Sequence, residues 1–125
     1  MKRTAALASC AAALMLVATP ASAAMTVATF LAKAQALKAK GVGAMFSSDL
    51  GLLKREGKAA GEAVRAERAA RLKAGQAPAY CPPGRKGAMG ADVMIAGLAA
   101  IPVAQRGIPL KDGMRRVLAT RFPCR

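Results

Sequence analysis

The chain is a short, strongly basic protein of 125 residues, with 20 Lys and Arg against six Asp and Glu and a net charge of +14. It contains no histidine, which excludes the Ser-His and Cys-His pairs of most nucleophilic enzymes. A metal site would then need clustered carboxylates or thiolates, and the sequence has no such cluster. The composition therefore predicts a protein that is not an enzyme and has no metal or other cofactor.

The first 23 residues have the three parts of a secretory signal peptide. Lys2 and Arg3 precede an apolar run of about 14 residues, and Pro20 is followed by small residues up to Ala23. We expect cleavage near Ala23, which would release residues 24–125 as a single domain into the periplasm or the medium.

Two other fates of this leader stay open. An uncleaved anchor would need roughly 20 apolar residues, and the run is shorter than that. The sequence Leu7-Ala8-Ser9-Cys10 is typical of a lipobox, although the apolar stretch continues beyond the cysteine. No later stretch is apolar enough to cross a bilayer, so we expect no transmembrane span in the mature chain.

Apolar periodicity predicts two helices in the first half of the domain. The first covers about 27–39, with Thr26 as its N-cap. The second begins at Ser47 or Ser48 and continues to Gly75, which gives it a length of roughly 40 Å.

The C-terminal part of the second helix is rich in basic residues and poor in large apolar ones. Helix spacing pairs Lys58 with Glu62, and Glu67 with Arg71. A solvated face is the first interpretation, because exposed helices usually have charged faces. The second interpretation is a basic surface that faces a partner. Its candidate residues are Arg65, Arg68, Arg71 and Lys73, with Arg85 and Lys86 in the following loop.

Glycine and proline mark residues 75–90 as a loop, and two shorter helices follow it. The third covers about 91–101 and stops at Pro102. The fourth begins near Pro109, a favourable first-turn residue, and ends near Phe122. Since no segment alternates like a strand, the sequence predicts an all-α fold, a small four-helix bundle behind a cleavable signal peptide.

Cys81 and Cys124 are the two cysteines that remain once Cys10 leaves with the leader. In an oxidising compartment an even pair predicts one disulfide, which would stabilise the fold by roughly 4 kcal/mol on a chain-entropy argument. A reactive thiol pair is the alternative. It requires a C-x-x-C motif or a nearby histidine, and neither is present.

The exported domain stays cationic, because removing Lys2 and Arg3 lowers the net charge only to +12. Nucleic acid is not an expected partner, since stacking aromatics are scarce and exported proteins rarely meet it. Anionic lipid, wall polymers or an acidic protein surface fit better, and salt would weaken each attraction. Insertion into a bilayer requires bulky apolar residues opposite the cations, and the most basic segment has alanine there. It therefore predicts attraction to a surface and not bilayer insertion.

The second half of the domain has an arrangement of short motifs that it shares with a known family. These are Tyr80-Cys81-Pro82-Pro83, a helix, the Ile101-Pro102 turn, a second helix and the terminal Arg121-Phe122-Pro123-Cys124. Residues 80–124 thereby resemble the C-terminal half of the Rap/Tai family of small periplasmic immunity proteins. Members of that family are secreted helical proteins that bind and block peptidoglycan-cleaving amidase toxins delivered by type VI secretion.

The resemblance implies a function as well as a fold. It implies that Cys81 and Cys124 form a disulfide of the family type, and that the chain is a non-catalytic inhibitor with a toxin-like protein partner. It transfers no toxin-contacting residue. The alternative hypothesis is an envelope-associated structural protein that adheres electrostatically to anionic lipid or wall polymers.

Overall fold

The structure is a computed structural model that describes residues 23–84 and 89–125. All but the last residue of the predicted signal peptide, and the candidate residues Arg85 and Lys86, lie outside the described residues. The described part contains four α-helices and two 3-10 helices and no strand, so the predicted all-α fold is confirmed there. The α-helices are α1 (Val27–Ala39), α2 (Ser48–Lys73), α3 (Ala91–Ala99) and α4 (Leu110–Arg121), and the 3-10 helices are Gly41–Phe46 and Val103–Gln105.

Local capping explains where α1 and α2 begin and end. The Thr26 hydroxyl accepts a hydrogen bond from the Thr29 amide at 3.2 Å, as a helix N-cap does. Of the two serines proposed to open α2, Ser47 is the cap, and its hydroxyl accepts a hydrogen bond from the Asp49 amide. After α2, Gly75 adopts a φ of +70°, the left-handed conformation that ends many helices.

The third helix is shorter than its periodicity predicts, because α3 ends at Ala99 and not at 101. The residue before Pro102 is disfavoured in helical conformation, so the chain leaves the helix early. Arg106 then donates hydrogen bonds to the carbonyl oxygens of Ala99 at 2.7 Å and Ile101 at 2.8 Å. This side chain therefore satisfies acceptors that the end of a helix leaves without partners.

The core lies around α4, which packs against each of the other three α-helices. Leu110, Met114 and Val117 form its buried stripe. Leu98 on α3, Val27 on α1 and Val64 on α2 are the largest fully buried side chains. On α2 the buried residues stop at Val64, so the C-terminal part of that helix contributes nothing buried to the core.

Backbone hydrogen bonds join the start of α1 to the segment that precedes α4. The bonds run from Val27 N–H to the Ile108 oxygen at 3.0 Å, from Ala28 N–H to the Arg106 oxygen at 2.9 Å, and from Leu110 N–H to the Met25 oxygen at 2.8 Å. They satisfy two amides in the first turn of α1 that have no partner within the helix. The first residues of the domain are thus held against the beginning of its last helix.

Candidate partner-binding surface

The predicted disulfide between Cys81 and Cys124 is present, with the two Cα atoms 5.0 Å apart. Beside it, the Cys81 amide donates a hydrogen bond to the Phe122 carbonyl oxygen at 2.8 Å. Both cysteines are exposed. The bridge therefore attaches the loop after α2 to the chain that follows α4, on the outside of the domain.

Arg68 holds the same loop from the α2 side. Its Nε donates a hydrogen bond to the Tyr80 carbonyl oxygen at 3.0 Å, and its guanidinium lies 5.6 Å from the centre of the Tyr80 ring. That distance is typical of a cation–π contact, and the Tyr80 side chain is buried. Arg68, predicted to face a partner, therefore lies against the protein's own loop.

Arg71 also contacts the segment that follows its helix. Its Nη1 lies 3.5 Å from the Ala77 carbonyl oxygen, and its own carbonyl oxygen accepts a hydrogen bond from the Gln76 amide at 2.8 Å. The left-handed turn at Gly75 makes this reversal of the chain direction feasible. Because the residue is nevertheless exposed, its charge is available at the surface.

Arg65 and Lys73 lie on the exposed surface of α2. Neither makes a side-chain hydrogen bond or an ion pair with another residue in 23–84 or 89–125. Of the candidate residues that the structure describes, Arg68 and Arg71 contact the loop, whereas Arg65 and Lys73 have no polar contact with it. The structure therefore holds Arg68 and Arg71 against the loop before Cys81 and leaves Arg65 and Lys73 exposed on the same end of α2.

Glu67 forms its ion pairs across helices, so its predicted pairing with Arg71 is wrong. Its carboxylate oxygens accept hydrogen bonds from Lys111 at 2.5 Å and Arg115 at 3.0 Å, both on α4. The Lys111 hydrogen bond holds the pKa of Glu67 below its usual value, against an opposing effect of burial. The same bond raises the pKa of Lys111. Arg71 lies beyond this contact because it reaches towards the loop.

Three other acidic residues also have internal partners. Their ion pairs are Asp49 with Lys33 at 2.8 Å, Asp112 with Arg115 at 2.8 Å, and the predicted Glu62 with Lys58 at 3.9 Å. The Lys33 hydrogen bond lowers the pKa of Asp49, so this carboxylate stays ionised. Most of the few negative charges are therefore neutralised within the protein, and the excess of cations is left on its surface.

Sequence reasoning missed an apolar group that the structure exposes between α1 and α2. Val42, Met45 and Phe46, here called the apolar knuckle, are 84%, 74% and 94% exposed on the first 3-10 helix. Two glycines interrupt this segment, so its sequence has no apolar periodicity that would predict a helix. The sequence does contain a signal for this exposed group, because three bulky apolar residues stand between two helices that contain charged residues.

The described residues include no group of three or more His, Cys, Asp or Glu that could hold a metal ion. Within the same residues, no helix combines the length and the apolar character that crossing a bilayer requires. Comparison of the chain with protein-family models, curated proteins and solved structures finds no match. The likeness of residues 80–124 to the Rap/Tai family therefore depends on their short motifs alone and stays a prediction.

Proposed function

We propose that this protein is a non-catalytic binding protein of the periplasm that takes an acidic protein partner. The surface that binds is the exposed basic end of α2 together with the loop before Cys81. One observation carries the proposal: Arg65 and Lys73 are exposed on a part of α2 that adds nothing buried to the core, and Arg68 and Arg71 of the same part contact the loop that follows the helix.

Charge supports an acidic partner. The net charge is +14, and four of the six acidic residues are in internal ion pairs. A surface with such an excess of one sign attracts an oppositely charged surface over a distance of about 10 Å at 0.1 M salt. Attraction of this kind mainly increases the association rate and the selectivity for acidic partners.

Rigidity supports recognition of a specific partner. The loop is fastened at Cys81 by the disulfide and at Tyr80 by Arg68, and Arg71 contacts it at Ala77. A loop that is already ordered loses less conformational entropy when it binds. The basic end of α2 then supplies charge next to a surface of defined shape.

The resemblance of residues 80–124 to the Rap/Tai family suggests the class of partner. On that basis the partner is a peptidoglycan-cleaving amidase toxin, and the protein inhibits it without catalysis. A disulfide persists in oxidising compartments, which supports an export route to the periplasm.

Affinity capture with the protein as purified from the cells that produce it tests this proposal. We expect a stoichiometric acidic protein from periplasmic extract at about 0.05 M salt, its release at about 0.5 M salt, and inhibition of its activity on purified peptidoglycan. The double variant Arg65→Gln/Lys73→Gln should weaken this complex about tenfold, because it removes two charges without touching the core.

The matched control removes the same charge elsewhere. Lys54→Gln/Arg55→Gln takes two exposed cations from the first half of α2 and should leave the affinity within a factor of about two. Recovery of no stoichiometric partner, or equal weakening by both double variants, would contradict the proposal. Adhesion to sacculi in place of a protein would favour the envelope-adhesion alternative.

A further inference from the structure

The apolar knuckle is the most exposed large apolar group in the described structure. Single apolar side chains are common on protein surfaces and need no explanation. Here three lie within one six-residue 3-10 helix, and bulky apolar side chains exposed so close together in the chain mark sites of interaction. Val42, Met45 and Phe46 therefore need a functional explanation.

The fold does not use these three side chains to make the turn. Gly41 supplies the required positive φ of +55°, and the amide of Gly43 donates to the Lys40 carbonyl oxygen at 3.2 Å. The Ser47 amide donates to the Ala44 carbonyl oxygen, and Ala44 is the residue of this turn that packs against the core. Backbone hydrogen bonds and one small side chain shape the turn, so the knuckle is left outside it.

The surroundings of the knuckle are positively charged. Between residues 33 and 55 the only acidic residue is Asp49, and its carboxylate is bound to Lys33 at 2.8 Å. The remaining cations of this stretch are Lys38, Lys40, Lys54 and Arg55, all exposed. An exposed apolar group with cations before and after it in the chain is complementary to a surface that is anionic outside and apolar just beneath.

We propose that the apolar knuckle inserts into the boundary between head groups and acyl chains of an anionic lipid bilayer. Val42, Met45 and Phe46 enter the apolar layer, while Lys38 and Lys40 contact the head-group phosphates. This inference goes beyond the proposed function and does not depend on it, because it concerns the connection between α1 and α2 and not the basic end of α2.

Two features favour a bilayer over another occupant. The knuckle projects from a tight turn between two helices, so it is convex, and a fluid lipid surface accommodates a convex tip without a matching groove. A second copy of the chain is disfavoured, because each copy has a net charge of +12 even after removal of Lys2 and Arg3. The sequence-based expectation of surface attraction without insertion concerned the basic segment of α2, which is poor in bulky apolar side chains.

Fluorescence gives the most direct test, because the natural chain has no tryptophan. Phe46→Trp places a single reporter on the knuckle, and Val103→Trp places one at another exposed apolar position. With phosphatidylglycerol-containing vesicles we expect a blue-shifted emission from Phe46→Trp, quenched by brominated acyl chains, and no shift from Val103→Trp. Vesicles of phosphatidylcholine alone should shift neither.

Sedimentation with the same vesicles measures the contribution of the side chains. The double variant Met45→Ser/Phe46→Ser should bind roughly tenfold more weakly, and Val103→Ser should bind like the natural chain. Lys38→Gln/Lys40→Gln should reduce the preference for anionic over neutral vesicles. The thermal unfolding of these variants should be unchanged, because the replaced side chains are exposed.

All variants are purified from the cells that produce them, without further processing. Mass spectrometry identifies the N-terminus of each, since a retained signal peptide would itself bind lipid. The Val103→Trp control separates that effect from insertion at the knuckle. Equal shifts from the two reporters, unchanged binding of Met45→Ser/Phe46→Ser, or complete release at about 0.5 M salt without any shift would overturn the proposal.

Discussion

At Gly113 the lack of a side chain determines how closely α4 approaches α1 and α3. A Cβ atom there would collide with the side chains of Val27 and Leu98, two of the most buried residues in the core. Gly97 on α3 faces Val117 in the same way, because a Cβ atom added to Gly97 would lie only 2.5 Å from a methyl group of Val117. Both glycines are in helices, where periodicity shows which face is buried but not how much space that face has.

We predict that Gly113→Ala destabilises the fold although alanine is the better helix former. Overpacking costs about 1–3 kcal/mol, which outweighs a gain in helix propensity of about 1 kcal/mol. Gly61→Ala on α2 is the matched control, because its Cβ would meet nothing nearer than the end of the Arg65 side chain at 4.0 Å. That variant should gain about 0.5–1 kcal/mol. Urea unfolding measures both, and stabilisation by both would contradict this packing.

At the scale of the elements, local signals and long-range contacts differ in how well the sequence predicts them. The caps at Thr26 and Ser47 and the turn at Gly75 depend on neighbouring residues, so they could be predicted from the sequence. The pairing of Glu67 with Lys111 joins residues 44 positions apart, and helix spacing suggested the nearer Arg71 instead. The loop contacts of Arg68 were missed for the same reason, since they require the chain reversal after α2.

The α2–α4 ion pair predicts how stability depends on pH. The pKa of Glu67 is lower in the folded protein than its ordinary value of 4.5. Its contribution to the free energy of unfolding is therefore present above pH 4.5 and is lost as the pH falls through the lower folded value. The pKa of Lys111 is raised above 10.5, so the same pair also weakens as the pH rises beyond that value.

Glu67→Gln should accordingly lower the free energy of unfolding at pH 7 by up to about 1 kcal/mol. It should also reduce the loss of this free energy on the acid side of the pH profile, the acid limb. Glu62→Gln is the control, because its pair with Lys58 is exposed and 3.9 Å long, and a change within about 0.5 kcal/mol is expected. Urea unfolding between pH 3 and pH 7 checks the pair. Identical acid limbs for Glu67→Gln and the natural chain would show that Glu67 does not supply this dependence.

At the scale of the whole molecule, one disulfide and one central helix hold together a small domain rich in alanine. α4 packs against the three other α-helices, and the bridge from Cys81 to Cys124 ties its end to the loop after α2. Closing that loop is worth roughly 4 kcal/mol, a large fraction of the stability of a domain of this size. The cysteine pairing could be predicted from the sequence because only two cysteines remain once the predicted signal peptide is removed. The exposed surfaces could not be predicted from the sequence, since they depend on which side of each helix the other helices and loops cover.

The partner-binding surface requires delivery of the domain to an oxidising, extracytoplasmic space, because the disulfide between Cys81 and Cys124 fastens its loop. Mass spectrometry of the protein recovered from its own cells, without reduction, tests that requirement most directly. We predict a chain that begins near Ala24 and a peptide pair cross-linked through Cys81 and Cys124. A chain that retains Met1, with both of these cysteines accessible to alkylation before reduction, would contradict the account.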